Sequence, residues 1–301
     1  MFLITGATGL TGSAVVRRFA QQGEPVRALV REPKKQQFAG VAGVDTVVGD
    51  LLEPATLEPA LAGIDTVVLI SGADDTLIEA QCNLIDAAEE AGVGHIVKVS
   101  GLGCDHDSPF RFGRYHAQIE DYLRASSVAW TILRPSQFMQ VYYREVPTLL
   151  EDGSFAVAMG DARLAPIDVE DIAAVAYAVA QSEEHHGKSF AMTGPDALRM
   201  SEVCDILSPA VGKPLHYLDI DPRIKRQQLI DNGIPPRLAD DMDDLFRLRR
   251  EGGPESEVHL EVFDLLQIRP TSFAEFVQRS VDIFRGTTTP AQLWASGWQR
   301  V

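Results

Sequence analysis

Cysteine is scarce in this 301-residue chain: Cys82, Cys104 and Cys204 stand far apart, and no CxxC pair occurs. That excludes a disulfide scaffold and a cysteine-rich zinc site, and it suits a reducing compartment. Basic charge is in deficit, with 27 Lys+Arg against 43 Asp+Glu for a net charge of −16. Such a surface repels a phosphate backbone and argues against nucleic acid as a partner. Long apolar runs are missing as well. Stretches such as 66–70 fall far short of the roughly 18 residues of a membrane span, so no membrane association is expected. The first residues carry no basic stretch followed by an apolar segment of signal-peptide length, and a cytoplasmic location is the expectation. Internal repeats and low-complexity tracts are also lacking.

What is present is an ordinary globular composition, 45% hydrophobic and 23% charged, which argues against a disordered or fibrous chain. At about 150 residues per domain the length allows one large domain or up to two. Short apolar strands are expected at 2–5, 26–30, 46–48, 66–70, 95–100 and 129–133. Helical patterns over 10–22, 54–61, 77–91 and 110–125 separate most of them. This alternation predicts an α/β fold, a doubly wound parallel sheet covered on both faces. After Pro135 the alternation weakens. Strands are expected at 155–158, 165–167, 188–192 and 215–218, helices at 169–181 and 201–211, and mainly helix from Pro222 onward. The expected organisation is a Rossmann-type domain at 1–150, with 151–301 forming a smaller, mainly helical substrate region packed on it and not strictly contiguous.

The strongest chemical signal is GATGLTG, which sets Gly6, Gly9 and Gly12 between the first strand and the first helix. Glycines there permit a tight turn, a close approach of backbone to a pyrophosphate, and close packing of helix on sheet. Free N–H groups and the positive end of the helix dipole then hold the phosphates. Just past the second strand the chain reads Arg31-Glu32-Pro33-Lys34-Lys35, basic where an NAD site usually carries an acid. A guanidinium grips a 2′-phosphate in two-pronged fashion, so NADP(H) is preferred over NAD(H). Asp50 ends the third strand, where it either contacts adenine or closes an Asx turn. Ser71-Gly72 and Ser100-Gly101 end the fourth and fifth strands, on the edge where open α/β sheets bind ligands.

Together with the 116–120, 131–139, 167–173, 193–195 and 270–277 segments, these residues resemble the NmrA-like group of atypical short-chain dehydrogenases/reductases. The resemblance runs over about residues 1–286. The group includes NADPH-dependent quinone, azo-dye and triphenylmethane-dye reductases, and also nucleotide-sensing regulators that bind the cofactor without turnover. Carried over by position, it implies that Gly6, Thr8, Gly9, Leu10, Thr11 and Gly12 cradle the pyrophosphate. It implies that Arg31 and Lys35 meet the 2′-phosphate, and Asp50 and Leu51 the adenine. His116 would stand near the nicotinamide ribose, and Pro135, Ser136 and Phe138 beside the nicotinamide ring.

One departure matters. The usual Tyr with a Lys four residues later is absent, because Tyr115 is followed at that spacing by Ile119. Candidates for a catalytic role are therefore Ser100, which would orient a carbonyl, and His116 or Tyr115 as proton donor. Phe138, Met139, Tyr142 and Tyr143 suit either a flat apolar substrate or a packed core.

Three further clusters have structural explanations. Asp168 is expected to cap a helix, with Asp171 reaching back to it. The acidic run 240–244 reads as a solvated helix face, and His185-His186 lacks a third ligand, so no metal is expected. Trp294 and Trp298 suit a lid or a subunit contact, and the sequence does not choose between monomer and homodimer. The leading expectation is an NADPH-dependent oxidoreductase passing hydride to a conjugated acceptor, a quinone or aromatic ketone. The alternatives are an NADP(H)-sensing binding protein without turnover and an isomerase or epimerase with a tightly held cofactor.

Overall fold

The computed structural model describes residues 1–32, 38 and 41–290. Lys34, Lys35, Trp294 and Trp298 therefore lie outside the described residues.

Seven parallel strands form the central sheet: β1 (Phe2–Ile4), β2 (Val26–Val30), β3 (Val44–Val48), β4 (Thr66–Leu69), β5 (His95–Val99), β6 (Ala129–Pro135) and β9 (Lys188–Met192). Their order is β3-β2-β1-β4-β5-β6-β9. Alternation along each strand feeds two cores. Ile4 and Val68 face a layer containing α1 (Leu10–Gln21) and α6 (Val169–Ala180). Leu3, Val67 and Leu69 face α2 (Leu57–Leu61), α3 (Leu77–Glu90) and α4 (Arg111–Ala125). Burial on both sides explains why the strands read as unbroken apolar runs. The second half of the chain supplies α6 and β9 to this body, so it does not remain apart from the sheet.

The remaining elements build a cap with a third core. They are α5 (Val146–Glu151), β7 (Ser154–Val157), β8 (Arg163–Leu164), β10 (Leu198–Arg199), α7 (Met200–Val211), β11 (His216–Asp219), α8 (Pro222–Asp231), α9 (Pro236–Arg250), α10 (Glu261–Leu266), α11 (Phe273–Arg279) and α12 (Val281–Phe284). Of these, α10 packs under β9 through Val262 and Phe263 and belongs to the first core. Phe155, Phe273, Phe276 and Phe284 fill the cap core, and β7 and β11 pair in parallel at its edge.

Two local expectations are corrected. The strand at 165–167 is not formed. The two-residue β8 lies earlier and pairs antiparallel with β10, while Ile167 makes only an isolated bridge to Phe138. Pro166 has no N–H to donate to a ladder, and Ala165 N–H instead donates to the Glu255 carbonyl at 2.8 Å. Asp168 does cap α6, accepting from Glu170 N–H at 3.1 Å, but Asp171 does not reach back to it. The Asp171 oxygens accept from Thr271 N–H at 2.7 Å and from the Thr271 hydroxyl at 2.9 Å, which ties the chain before α11 to α6.

The α8–α9 hairpin roofs the C-terminal edge of β5 and β6. Arg111, at the start of α4, clasps it by donating to both carboxylate oxygens of Asp241 and also to Asp75. Arg237 donates to the same Asp75 at 2.8 Å. The 240–244 run is thus only partly a solvated face: Asp241 is buried against Arg111, and Asp240 and Asp243 pair with Arg226 and Arg247.

Candidate active site

The GATGLTG loop lies where the strand order reverses between β1 and β4, the position at which doubly wound sheets bind ligands. Thr5 zips the two strand ends together, since its hydroxyl donates to Ile70 O at 2.6 Å and accepts from Ile70 N–H at 2.8 Å. Gly6 turns the chain with φ +57, and a Cβ there would meet Ile70 O at 2.8 Å. A Cβ on Gly12 would meet Gly6 O at 2.1 Å. The loop therefore closes on its own helix only with hydrogen at that position. No side chain caps α1 and no acid occupies its first turn. The N–H groups of Leu10, Thr11 and Gly12 have no partner among the described residues. This is an open row of donors at the positive end of a helix, with Gly6 and Gly9 exposed beside it.

Arg31 follows β2 directly, is exposed, and makes no hydrogen bond or ion pair with another described residue. Asp50 closes an Asx turn by accepting from Leu52 N–H at 3.0 Å, and the neighbouring Leu51 carbonyl accepts from Asn83 at 2.9 Å. One Asp50 oxygen, Oδ2, has no partner among the described residues. Ser71 follows β4 and accepts from Gln81 Nε2 at 2.8 Å, while its own hydroxyl leans on Gly72 O at 3.4 Å.

Beyond these strand ends opens a cavity of about 1020 Å³ under the α8–α9 roof. Ser100, His116, Pro135, Ser136, Phe138 and Tyr142 all line it, and α9 contributes Leu238, Met242 and Phe246. That volume exceeds most small-molecule sites and leaves room for a cofactor end beside a second ligand. Ser136 is held by donating its hydroxyl to Ala165 O.

His116 is the titratable group with a ring nitrogen to spare. Its Nδ1 lies 3.0 Å from Lys98 Nζ, and its Nε2 has no hydrogen-bond partner among the described residues. Burial, with the Lys98 ammonium adding to it, holds its pKa well below the usual histidine value, so the ring is neutral. Lys98 itself is fully buried on β5, and burial lowers its pKa to about 8. Sequence reasoning missed it. The available signal was a lysine inside the otherwise uncharged and apolar strand His95-Ile96-Val97-Lys98-Val99.

Ser100 lines the cavity and is engaged with a buried carboxylate. Its hydroxyl donates to Glu120 Oε1 at 2.6 Å, so in this structure its single proton is engaged there. Burial pushes the Glu120 carboxyl up, but hydrogen bonds from Arg134 and Ser100, with Arg124 beside them, together hold it below its usual range. Glu120 is therefore an ionised acceptor buried under two guanidinium groups.

Tyr115 is not among the cavity-lining residues; its ring meets Phe112 edge-on at 6.0 Å with Arg111 5.5 Å above it. Met139 and Tyr143 also belong to packing. Met139 is fully buried in the cap core, and Tyr143 stacks on Phe276 at 5.4 Å and shares a hydrogen bond with Ser280 at 2.8 Å. Neither lines the cavity. Tyr142 does, although its hydroxyl is buried without a partner among the described residues and its ring packs edge-on against Phe273 at 5.0 Å. Among the described residues no group of three His, Cys, Asp or Glu is placed to hold a metal ion, and no helix is long and apolar enough to cross a membrane.

A parallel sheet in this order, with a glycine loop opening onto an unblocked helix N-terminus at its switch point, defines a Rossmann-type dinucleotide-binding protein. The chain belongs to the NmrA-like family, whose pattern matches residues 1–277. It is 37% identical to an NAD(P)H azoreductase of Xenophilus azovorans, over 82% of this chain and 87% of that protein. It is 31% identical to quinone oxidoreductase 2 of Escherichia coli K12, over 81% of this chain and 86% of that one. Among solved structures, an E. coli NADPH-dependent quinone oxidoreductase complexed with NADPH superposes with a TM-score of 0.84 at 29% identity, over 92% of this chain and 99% of that chain.

Proposed function

We propose that this chain is an NADPH-dependent reductase that transfers hydride to a flat conjugated acceptor, a quinone, an aromatic ketone or a similar compound. Its membership of the nicotinamide-dependent oxidoreductases rests on relatives such as the azoreductase and the quinone oxidoreductase, which match over four-fifths of its length. One observation carries the reading furthest. The open donor row at α1 and the mainly apolar cavity lie on the same edge of the sheet, with His116 on the cavity wall.

The residues fit the cofactor. The cradle that a Cβ on Gly12 would fill leaves the N–H groups of Leu10, Thr11 and Gly12 for a pyrophosphate, with Thr8 and Gly9 completing the loop. Arg31 is free to meet a 2′-phosphate, and the spare oxygen of Asp50 with the Leu51 backbone meets adenine. Ser71 and Gly72 border the path along the strand ends, and Pro135, Ser136 and Phe138 wall the nicotinamide end. A bound reduced nicotinamide supplies the hydride. His116 then faces the reacting end as the neutral hydrogen-bond donor or acid, while the apolar faces of Phe138, Tyr142 and Phe246 exclude water from it.

The test is fluorescence titration with NADPH and NADH, followed by NADPH oxidation with a panel of quinones, azo compounds and aromatic ketones. Tighter binding of NADPH with turnover of at least one acceptor is expected. Tight binding with no turnover of any acceptor would replace the reductase by a nucleotide sensor.

A further inference from the structure

The Lys98 ammonium is enclosed by protein on every side, and a charge in that position needs acceptors for its protons. Two acceptors are present. Nζ donates to Gln81 Oε1 at 2.9 Å and to His116 Nδ1 at 3.0 Å. Gln81 is itself fixed, because its amide nitrogen donates to Ser71 Oγ at 2.8 Å and so turns the amide oxygen toward the lysine. An ammonium has donors and no lone pair, so the ring nitrogen that faces it must be bare. A neutral imidazole bare at Nδ1 carries its proton on Nε2. That nitrogen has no protein partner among the described residues, and His116 lines the cavity.

We propose that Lys98 is a positioning residue. By donating to Nδ1 it fixes His116 as the Nε2–H tautomer, which presents a hydrogen-bond donor to the substrate atom that becomes basic on reduction. When the Nε2–H bond breaks and its proton goes to that oxygen or nitrogen, a Lys98 N–H bond breaks and its proton forms a new bond at Nδ1. The histidine is then neutral again with its tautomer reversed, and Lys98 is left as a neutral amine; a proton taken up by Nε2 from the cavity sends the Nδ1 proton back to it and restores both groups. No electrons beyond those of the hydride are required. This lysine reaches the acid from the sheet beneath it, whereas the usual lysine stands four residues later on the same helix.

The charged and titratable groups around Lys98 come from several elements. Glu120 on α4, Cys82 on α3 and Cys104 on the loop after β5 favour the ammonium, and Arg134 on β6 opposes it. At neutral pH the ammonium predominates, in keeping with a pKa of about 8.

The identity of the acceptor rests on the reductase reading, but the tautomer does not, and the two are measured separately. Long-range ¹⁵N–¹H correlation spectra of the ¹⁵N-histidine-labelled chain at neutral pH, with His116→Gln to assign the signal, read the tautomer directly. The expected result is an unprotonated Nδ1 and a protonated Nε2; a protonated Nδ1 overturns the proposal. Lys98→Met keeps the volume and removes the donor. Its expected effects are a mixed His116 tautomer, a fall in kcat of roughly tenfold or more, and loss of the alkaline limb of the pH profile, with NADPH affinity within about twofold. An unchanged tautomer and pH profile in a folded variant would equally overturn it. If the wild-type chain turns over no acceptor, the reductase reading fails while the ¹⁵N spectrum still decides the role of Lys98.

Discussion

The carbonyl oxygen of Gly6 lies 2.1 Å from the position that a Cβ on Gly12 would take. The clash is with backbone on a loop already turned at φ +57, so no side-chain rotation relieves it. Gly12→Ala is expected to push the loop off the first turn of α1 and misplace the donors there. Loss of one or two charge-assisted hydrogen bonds at about 1.5–3 kcal/mol each predicts NADPH binding weaker by roughly 10-fold or more. Titration with NADPH checks this, alongside a melting curve to confirm that the variant remains folded.

Arg31 is the cation beside the cradle with no described partner to release. Arg31→Ala is therefore expected to cost NADPH about tenfold or more in affinity and NADH less than about twofold. Equal loss for both nucleotides would remove the 2′-phosphate role from this residue.

Glu120 is fully buried and accepts from Ser100, Arg124 and Arg134. Glu120→Gln leaves Arg134 without its counter-charge and Arg124 with Asp121 alone. Because Arg124 and Arg134 keep 32% and 31% of their side chains exposed, water offsets part of that cost. The expected destabilisation is about 2–3 kcal/mol, below the full cost of breaking a wholly buried pair. Urea unfolding measures it, and an unchanged midpoint would show the cluster to be energetically idle.

His95 predicts the pH dependence of stability. Thr131 donates its only proton to His185 O at 2.8 Å, so at the 2.9 Å contact His95 Nε2–H must donate to Thr131. Burial, with His186 and His185 adding to it, lowers the His95 pKa from 6.5 to about 4. Between those values the unfolded chain binds the extra proton and the folded chain does not. The contribution is therefore complete above pH 6.5 and is lost as the pH falls toward 4, amounting to roughly 3 kcal/mol. Unfolding curves between pH 7 and about 4 should show a shallower loss for His95→Gln than for the parent chain.

The buried Tyr142 hydroxyl has no hydrogen-bond partner among the described residues. Tyr142→Phe is expected to leave stability unchanged or raise it by up to about 1 kcal/mol. Turnover should also persist if the ring serves as wall alone, and a steady-state assay decides it.

How far these features could be read in advance depends on how local their causes are. The tight turn at Gly6 and Gly12 and the Asx turn at Asp50 were legible because each arises at a strand end from the residue's own backbone or side chain. The core role of Met139 and Tyr143 was not. Their spacing suits a ligand wall and a core equally, and only the packing of residues 139–145 onto α11 and α12 decided between them. The partner of Ser100 was hidden for a similar reason. Ser100 stands where a carbonyl-orienting serine would, but its partner Glu120 is 20 residues further on.

The sequence by itself determined the parallel sheet, the glycine turn after β1 and the family, since these follow from alternating periodicity and from residue types whose effect is local. Only the tertiary structure decided which buried polar side chains meet. Gln81, Lys98 and His116 come from α3, β5 and α4, and the neighbouring Ser100, Glu120 and Arg134 come from the β5 edge, α4 and β6. Each pair meets across the order of a sheet that no local pattern encodes. A buried charge or hydroxyl is defined by the partner that satisfies it, and for Lys98, Ser100 and Glu120 a partner stands on another element.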